Sequence, residues 1–297
     1  MTVKRRVIAG LIALVPVLLA LWYGGLWWVL LLTFFTSLGA YEYYVLIERS
    51  GYRPARWYGF AWTLALMFSF WSLVPIEPQL VLTFGFIIVF IRILLSQQGS
   101  PPHEGSNNPD SADASDPLQP ETETPAQELD HKPFRNWALT VAGASYIGLM
   151  MGQALALRLL PNGFYWMLLG LGITMVNDSA AYFVGVTMGR NRILPALSPK
   201  KSWEGTVGGW IAATLAGAAV AFWSPLELAV WLGAFIGLVG GILALFGDLA
   251  ISMLKRQIGV KDSGVFLPGH GGFLDRLDSI MFVLPFVYQM ALLLGAG

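Results

Sequence analysis

The sequence predicts an all-α polytopic integral membrane protein with about nine transmembrane helices and its chemistry in cytoplasmic loops. Three observations lead there. Of 297 residues, 56% are hydrophobic and only 12% charged, with a mean hydropathy of +0.61. Apolar stretches of about 20 residues follow one another, each long enough to cross ~30 Å of hydrocarbon as a helix. The basic residues are distributed asymmetrically between the connecting segments.

Taken in order, the spans fall at 7–23, 26–45, 57–74, 78–97, 137–157, 163–187, 203–223, 228–250 and 279–296. The N-terminus has the basic start and apolar middle of a signal peptide, but it lacks a small-residue cleavage site and another apolar run follows at once, so an uncleaved first span is expected. Tyr23-Gly24-Gly25 makes a hairpin between the first two spans. Pro75 and Pro78 turn the chain between the third and fourth, and Pro161-Asn162-Gly163 between the fifth and sixth. With nine spans and an inside N-terminus, all of the 18 basic residues except Arg158 fall on one side. That asymmetry orients the chain in an inner or plasma membrane, with the N-terminus and the polar loops cytoplasmic and the C-terminus outside.

Residues 98–133 break the pattern. They hold seven prolines and eight acidic side chains against one lysine. Such a segment buries too little apolar surface to offset its ordering entropy, so a disordered acidic, proline-rich cytoplasmic linker is expected. It divides an N-terminal membrane region (1–97, four spans) from a C-terminal catalytic membrane region (134–297, five spans). In the first region Glu42, Glu48, Tyr41, Tyr43 and Tyr44 read as an interfacial aromatic belt with solvated charges. Arg49, Arg53 and Arg56 read as orientation determinants and anionic-lipid contacts.

The chemistry-bearing residues follow the linker. Asp178 lies inside the sixth span, where an ionised carboxylate costs ~2.5–3.5 kcal/mol on insertion scales unless it faces a polar cavity or a partner. Tyr182, four residues on, shares its face. The next loop carries Arg190 and Arg192, then Ser198-Pro-Lys-Lys-Ser-Trp-Glu-Gly205. Ser202 there is an N-cap for the seventh span and Glu204 lies in its first turn. Lys200 and Lys201 beside that helix start make an anion site, phosphate being the expected anion; positive-inside bias is the competing explanation. Asp248, Ser252 and Lys255 form one polar stripe if the eighth helix runs past the bilayer; a plain intramembrane ion pair would also account for Asp248 and Lys255.

Residues 252–278 are the densest stretch. They carry five glycines, suited to tight turns and close approach of backbone to a ligand. Lys255, Arg256 and Lys261 offer donors to phosphoryl oxygens. Asp275 and Asp278, at i and i+3, project from one face at the start of the last span. Hard carboxylate oxygens, in a chain with no cysteine, suit Mg²⁺ shared with substrate phosphates. His270 is a candidate acid, base or donor, or a structural residue. Arg276 pairs with an aspartate or reaches a phosphate. Carboxylates at three span ends beside basic loops suit metal-assisted phosphoryl or nucleotidyl transfer at a membrane surface.

The stretch Ser252-x2-Lys255-Arg256-x4-Lys261-Asp262-x-Gly264-x2-Leu267-Pro268-x-His270-Gly271-Gly272-x2-Asp275-Arg276-x-Asp278 resembles the motif of CDP-diacylglycerol synthases, the phosphatidate cytidylyltransferases. Asp178-Ser-x-Ala-Tyr182 and Ser198 to Gly205 are similar to that family too. The resemblance covers residues 170–280 well and the N-terminal half only as a pattern of spans. Ala180, Met175 and Ser202 depart from the residues common in relatives, and the 98–133 linker is unusual. The resemblance implies conversion of CTP and phosphatidic acid to CDP-diacylglycerol and pyrophosphate, in phospholipid biosynthesis. It implies Mg²⁺ on Asp248 and Asp275, and allows K⁺ as a second cation. On that reading Asp248, Asp275, Lys255 and Asp278 are the catalytic candidates. Ser198, Lys200, Lys201, Arg256, Lys261, His270, Arg276 and Asp178 are the substrate-binding ones. The expected partners are the two substrates and membrane lipids, with no nucleic acid; a homodimer stays open. The alternative class is a secondary transporter using Asp178 and Asp248 as ion-coupling carboxylates.

Overall fold

A computed structural model describes residues 15–97, 133–195, 197–260, 263–264 and 272–296. Nearly all of the expected linker, and Lys261 and His270, lie outside the described residues. Those residues form ten helices: α1 (15–23), α2 (Gly25–Arg49), α3 (Arg56–Phe68), α4 (Pro78–Gln97), α5 (Pro133–Leu159), α6 (Gly163–Met188), α7 (Trp203–Trp223), α8 (Val230–Gln257), α9 (Leu274–Leu277) and α10 (Ile280–Leu293). Seven segments among them are long and apolar enough to span a membrane, with α9 and α10 counted together. The chain is an integral membrane protein. Of the nine expected spans, the first is described only from residue 15. The third is a helix of 13 residues, about 20 Å long. It stops at Phe68, where the Ser69 hydroxyl donates to the Leu66 carbonyl at 2.7 Å and a run of turns follows.

Gly24 and Gly25 adopt φ of 63° and 51°, which lets α1 and α2 meet without a loop. The carbonyls freed at the end of α1 are taken by Arg158 from the far end of α5. Its Nε donates to Leu21 O at 3.0 Å and its Nη2 to Trp22 O at 3.4 Å. The one basic residue that orientation did not explain therefore caps a helix C-terminus, where cations are favoured.

Helix α5 is the post of the fold, packing against α2, α3, α4, α6 and α10. It bridges the two regions that the linker separates in sequence. Tyr43 and Tyr44 donate to its Leu139 and Thr140 carbonyls, each at 3.0 Å. Both rings are buried, at 6% and 0% exposure, so they belong to the core and not to an interfacial belt. Only Tyr41 of the three is exposed.

Helices α6, α7 and α8 pack closely through small residues, as apolar helices in lipid do. A methyl group on Gly217 would lie 2.1 Å from Gly233 O, and one on Gly237 would lie 2.3 Å from Ala213 O. Helix α8 runs for 28 residues, about 42 Å, longer than the ~30 Å of a bilayer's hydrocarbon. The last span is broken at Asp278-Ser279 between α9 and α10. Gly247 of α8 packs on that break, where an added methyl would meet Asp278 O at 2.4 Å. The contact sets Asp248 beside Asp278.

Candidate active site

The polar ends of α6, α7, α8 and α9 enclose a cavity of about 710 Å³. Four aspartates line it: Asp178, Asp248, Asp275 and Asp278. Five cations face them: Arg192, Lys200, Lys201, Lys255 and Arg276. Each group arrives on a different device. Asp178 lies one helical turn before the exposed Tyr182 of α6, and Asn177 Nδ2 donates to its Oδ1 at 3.2 Å. Asp248, Ser252 and Lys255 lie on one face because α8 continues to Gln257. Ser252 Oγ donates to Asp248 Oδ1 at 3.2 Å, and Lys201 Nζ forms an ion pair with Asp248 Oδ2.

Lys201 is presented by a loop that is itself clamped. Arg192 and Ser202 form an isolated antiparallel bridge. Trp203 N donates to Asn191 O at 2.9 Å, and Ile193 N to Lys201 O at 3.2 Å. The Glu204 carboxylate accepts from the backbone N–H of Arg190 and Asn191 and from Asn191 Nδ2, at 2.8 to 3.3 Å. Ser202 is the expected N-cap, its Oγ accepting from Gly205 N at 3.2 Å. The sequence placed Glu204 in a helix's first turn; the structure shows that it also holds the preceding loop.

Asp275 has the densest set of partners. Lys255 Nζ pairs with Oδ1. Oδ2 accepts from Ser263 N at 3.0 Å and Gly272 N at 3.2 Å, and Ser263 Oγ lies 3.1 Å from it. Asp278 Oδ1 accepts from Ser279 N at the helix break.

The structure thus brings together Asp178, Lys200, Lys201, Asp248, Lys255, Asp275, Arg276 and Asp278. It does not bring in Ser198 or Arg256. Ser198 shapes the turn, donating its N–H to Leu194 O at 2.9 Å and accepting from Lys201 N at 3.3 Å. Arg256 Nε donates to Leu197 O at 3.2 Å, tying the end of α8 to the loop that carries the lysines. Two residues near the site are not among the sequence-derived site candidates. Arg192 sat in a loop already noted as basic, so its signal was present. Glu42 was read as a solvated charge but is buried, accepting from Ser263 Oγ, Phe273 N and Leu274 N at 3.0, 2.9 and 2.8 Å.

The profile of the cytidylyltransferase family matches residues 4–294. A phosphatidate cytidylyltransferase of Staphylococcus haemolyticus is 37% identical over 152 residues, which is 51% of this chain and 58% of the relative. Phosphatidate cytidylyltransferases of Staphylococcus saprophyticus and Staphylococcus aureus are each 36% identical over the same length. The aligned stretch spans somewhat more than half of these curated relatives. With the family profile matched from near one end to the other, the chain belongs to the cytidylyltransferase family.

Proposed function

We propose that this protein transfers the cytidylyl group of CTP to phosphatidic acid, giving CDP-diacylglycerol and pyrophosphate. The observation that carries the proposal is the cavity itself. Carboxylates and cations from four helix ends converge in a family that transfers cytidylyl groups, and the relatives are phosphatidate cytidylyltransferases. The lipid phosphate is already an anion, so it attacks the α-phosphorus without a strong base. A P–O bond forms there as the bond to pyrophosphate breaks. The chain's task is then positioning and charge stabilisation. Lys200, Arg192 and Arg276 reach phosphoryl oxygens as donors. Lys201 and Lys255 neutralise Asp248 and Asp275, and each can turn to a phosphate when one enters.

Mg²⁺ fits the donor set. Four carboxylates offset five cations, so the cavity has little net charge to attract a triphosphate and a lipid phosphate. All-oxygen donors without thiols suit a hard cation that takes one or two carboxylates and completes its shell with substrate oxygens. Asp248 and Asp275 would hold it, each exchanging its lysine. Bound there, the ion would withdraw charge from the phosphoryl oxygens. K⁺ is the second cation to test. We place the cavity on the cytoplasmic side, supported by the basic loops around it.

The test is label transfer in mixed micelles with the full chain, phosphatidic acid, Mg²⁺ and CTP labelled at either the α- or the γ-phosphorus. The α-label should pass into lipid and the γ-label should leave as pyrophosphate. A γ-label found in lipid, or no lipid product from folded protein, would overturn the proposal.

A further inference from the structure

The described part of the glycine-rich stretch is held by a residue more than two hundred positions away. Glu42 on α2 lies at 8% exposure, the one charged side chain among that helix's buried residues. Its Oε1 accepts from Phe273 N at 2.9 Å, and its Oε2 accepts from Leu274 N at 2.8 Å and Ser263 Oγ at 3.0 Å. The same Ser263 hydroxyl lies 3.1 Å from Asp275 Oδ2. Four neighbouring backbone N–H groups are shared out between the two carboxylates. Ser263 and Gly272 serve Asp275, while Phe273 and Leu274 serve Glu42. One hydroxyl stands between them. The fit is close: a methyl on Gly264 would lie 2.4 Å from Glu42 Oε1, and one on Gly272 would lie 1.8 Å from Ser263 Oγ.

We propose that Glu42 is a positioning residue for Asp275. It anchors the start of α9 and the Ser263-Gly264 segment in one place, and so fixes the direction in which Asp275 presents its carboxylate to the cavity. A buried carboxylate needs several donors to offset its lost hydration, and Glu42 gains them only if both segments are seated. Seating the segments and aiming Asp275 are therefore one event. The N-terminal region thereby contributes to the site, although Glu42 does not line the cavity. The role rests on the proposed cytidylyl transfer at Asp275.

The test compares Glu42→Gln, Ser263→Ala and the double variant with the wild type, in the same lipid assay. Glutamine keeps the size but turns an N–H₂ toward N–H donors. The expected result is a fall in kcat on the order of 10²-fold, as misplacement of a reacting group produces, with KM for CTP and lipid within about threefold by the same reasoning. Helix content and melting temperature should stay close to wild type. The double variant should lose no more than the worse single one, because both act through one network. Near-normal kcat in folded Glu42→Gln would overturn the role. So would a loss of activity that simply follows the loss of folded protein, with kcat per folded molecule unchanged. If Glu42→Gln does not fold, Gly264→Ala decides, since its methyl would lie 2.4 Å from Glu42 Oε1 and pushes the carboxylate off the segment without removing it; normal turnover there refutes the proposal. A wild type that makes no CDP-lipid speaks against the reaction, not against Glu42.

Discussion

Glycines 264 and 272 show how single atoms set this site. Each needs the absence of a methyl: Gly264 where the Glu42 carboxylate passes, Gly272 where the Ser263 hydroxyl and the Gly264 backbone N pass. Gly272→Ala should displace Ser263 and the Gly264 backbone, whose N would lie 2.4 Å from the methyl, lowering kcat about ten- to a hundredfold and the melting temperature with it. Initial rates and a thermal melt on the same preparation check it, and unchanged turnover would show that the neighbours give way cheaply. These glycines were visible in sequence as candidates for close backbone approach. What they approach was not. Glu42 carries no local signal, because its partners lie 221 to 232 positions along the chain. At the end of an apolar helix, a charged side chain reads the same whether it meets water or two seated loop segments.

At the scale of elements, the helix ends carry the argument. The N-cap at Ser202 was legible because capping is a short-range pattern, and the structure has it. The polar stripe on α8 was legible too, since it needed only that the helix continue, and Val230–Gln257 does. The short α3 was harder to foresee. Its apolar run continues to residue 74, but the helix ends at Phe68 and turns follow. Arg158 was left over by the charge count and proves to cap α1 from across the molecule. Arg158→Ala should remove two charge-assisted bonds to carbonyls and destabilise the protein by about 1–3 kcal/mol. Turnover per folded molecule should be unchanged, because the residue does not line the cavity. Detergent-phase melting beside kcat tests both halves of that statement; a wild-type melting temperature would mean that water caps α1 equally well.

For the molecule as a whole, the sequence reads as two membrane regions in tandem, whereas the described structure interlocks them. Helix α5 packs on α2, α3 and α4 as well as on α6 and α10, and Glu42 reaches the loop beside Asp275. Hydropathy reports what faces lipid, not which helices are neighbours, so this could not be read from spans alone. Orientation rests on basic residues and is directly testable, because the chain has no cysteine of its own. Single cysteines at Gln257 and Glu77, both exposed, should react with an impermeant maleimide from opposite sides, Gln257 from the cytoplasm. Labelling of Gln257 from outside would invert the topology. The most direct test of the central claim, that the aspartate–lysine cavity performs the transfer, is kcat of Asp275→Asn against wild type in mixed micelles with CTP, phosphatidic acid and Mg²⁺. The cavity assignment predicts a folded protein whose CDP-lipid formation falls by about 10³-fold or more, as expected when a preorganised charge partner is lost. The wild type should fall silent when Mg²⁺ is chelated. Near-normal product formation by folded Asp275→Asn would contradict it and move the chemistry elsewhere in the molecule.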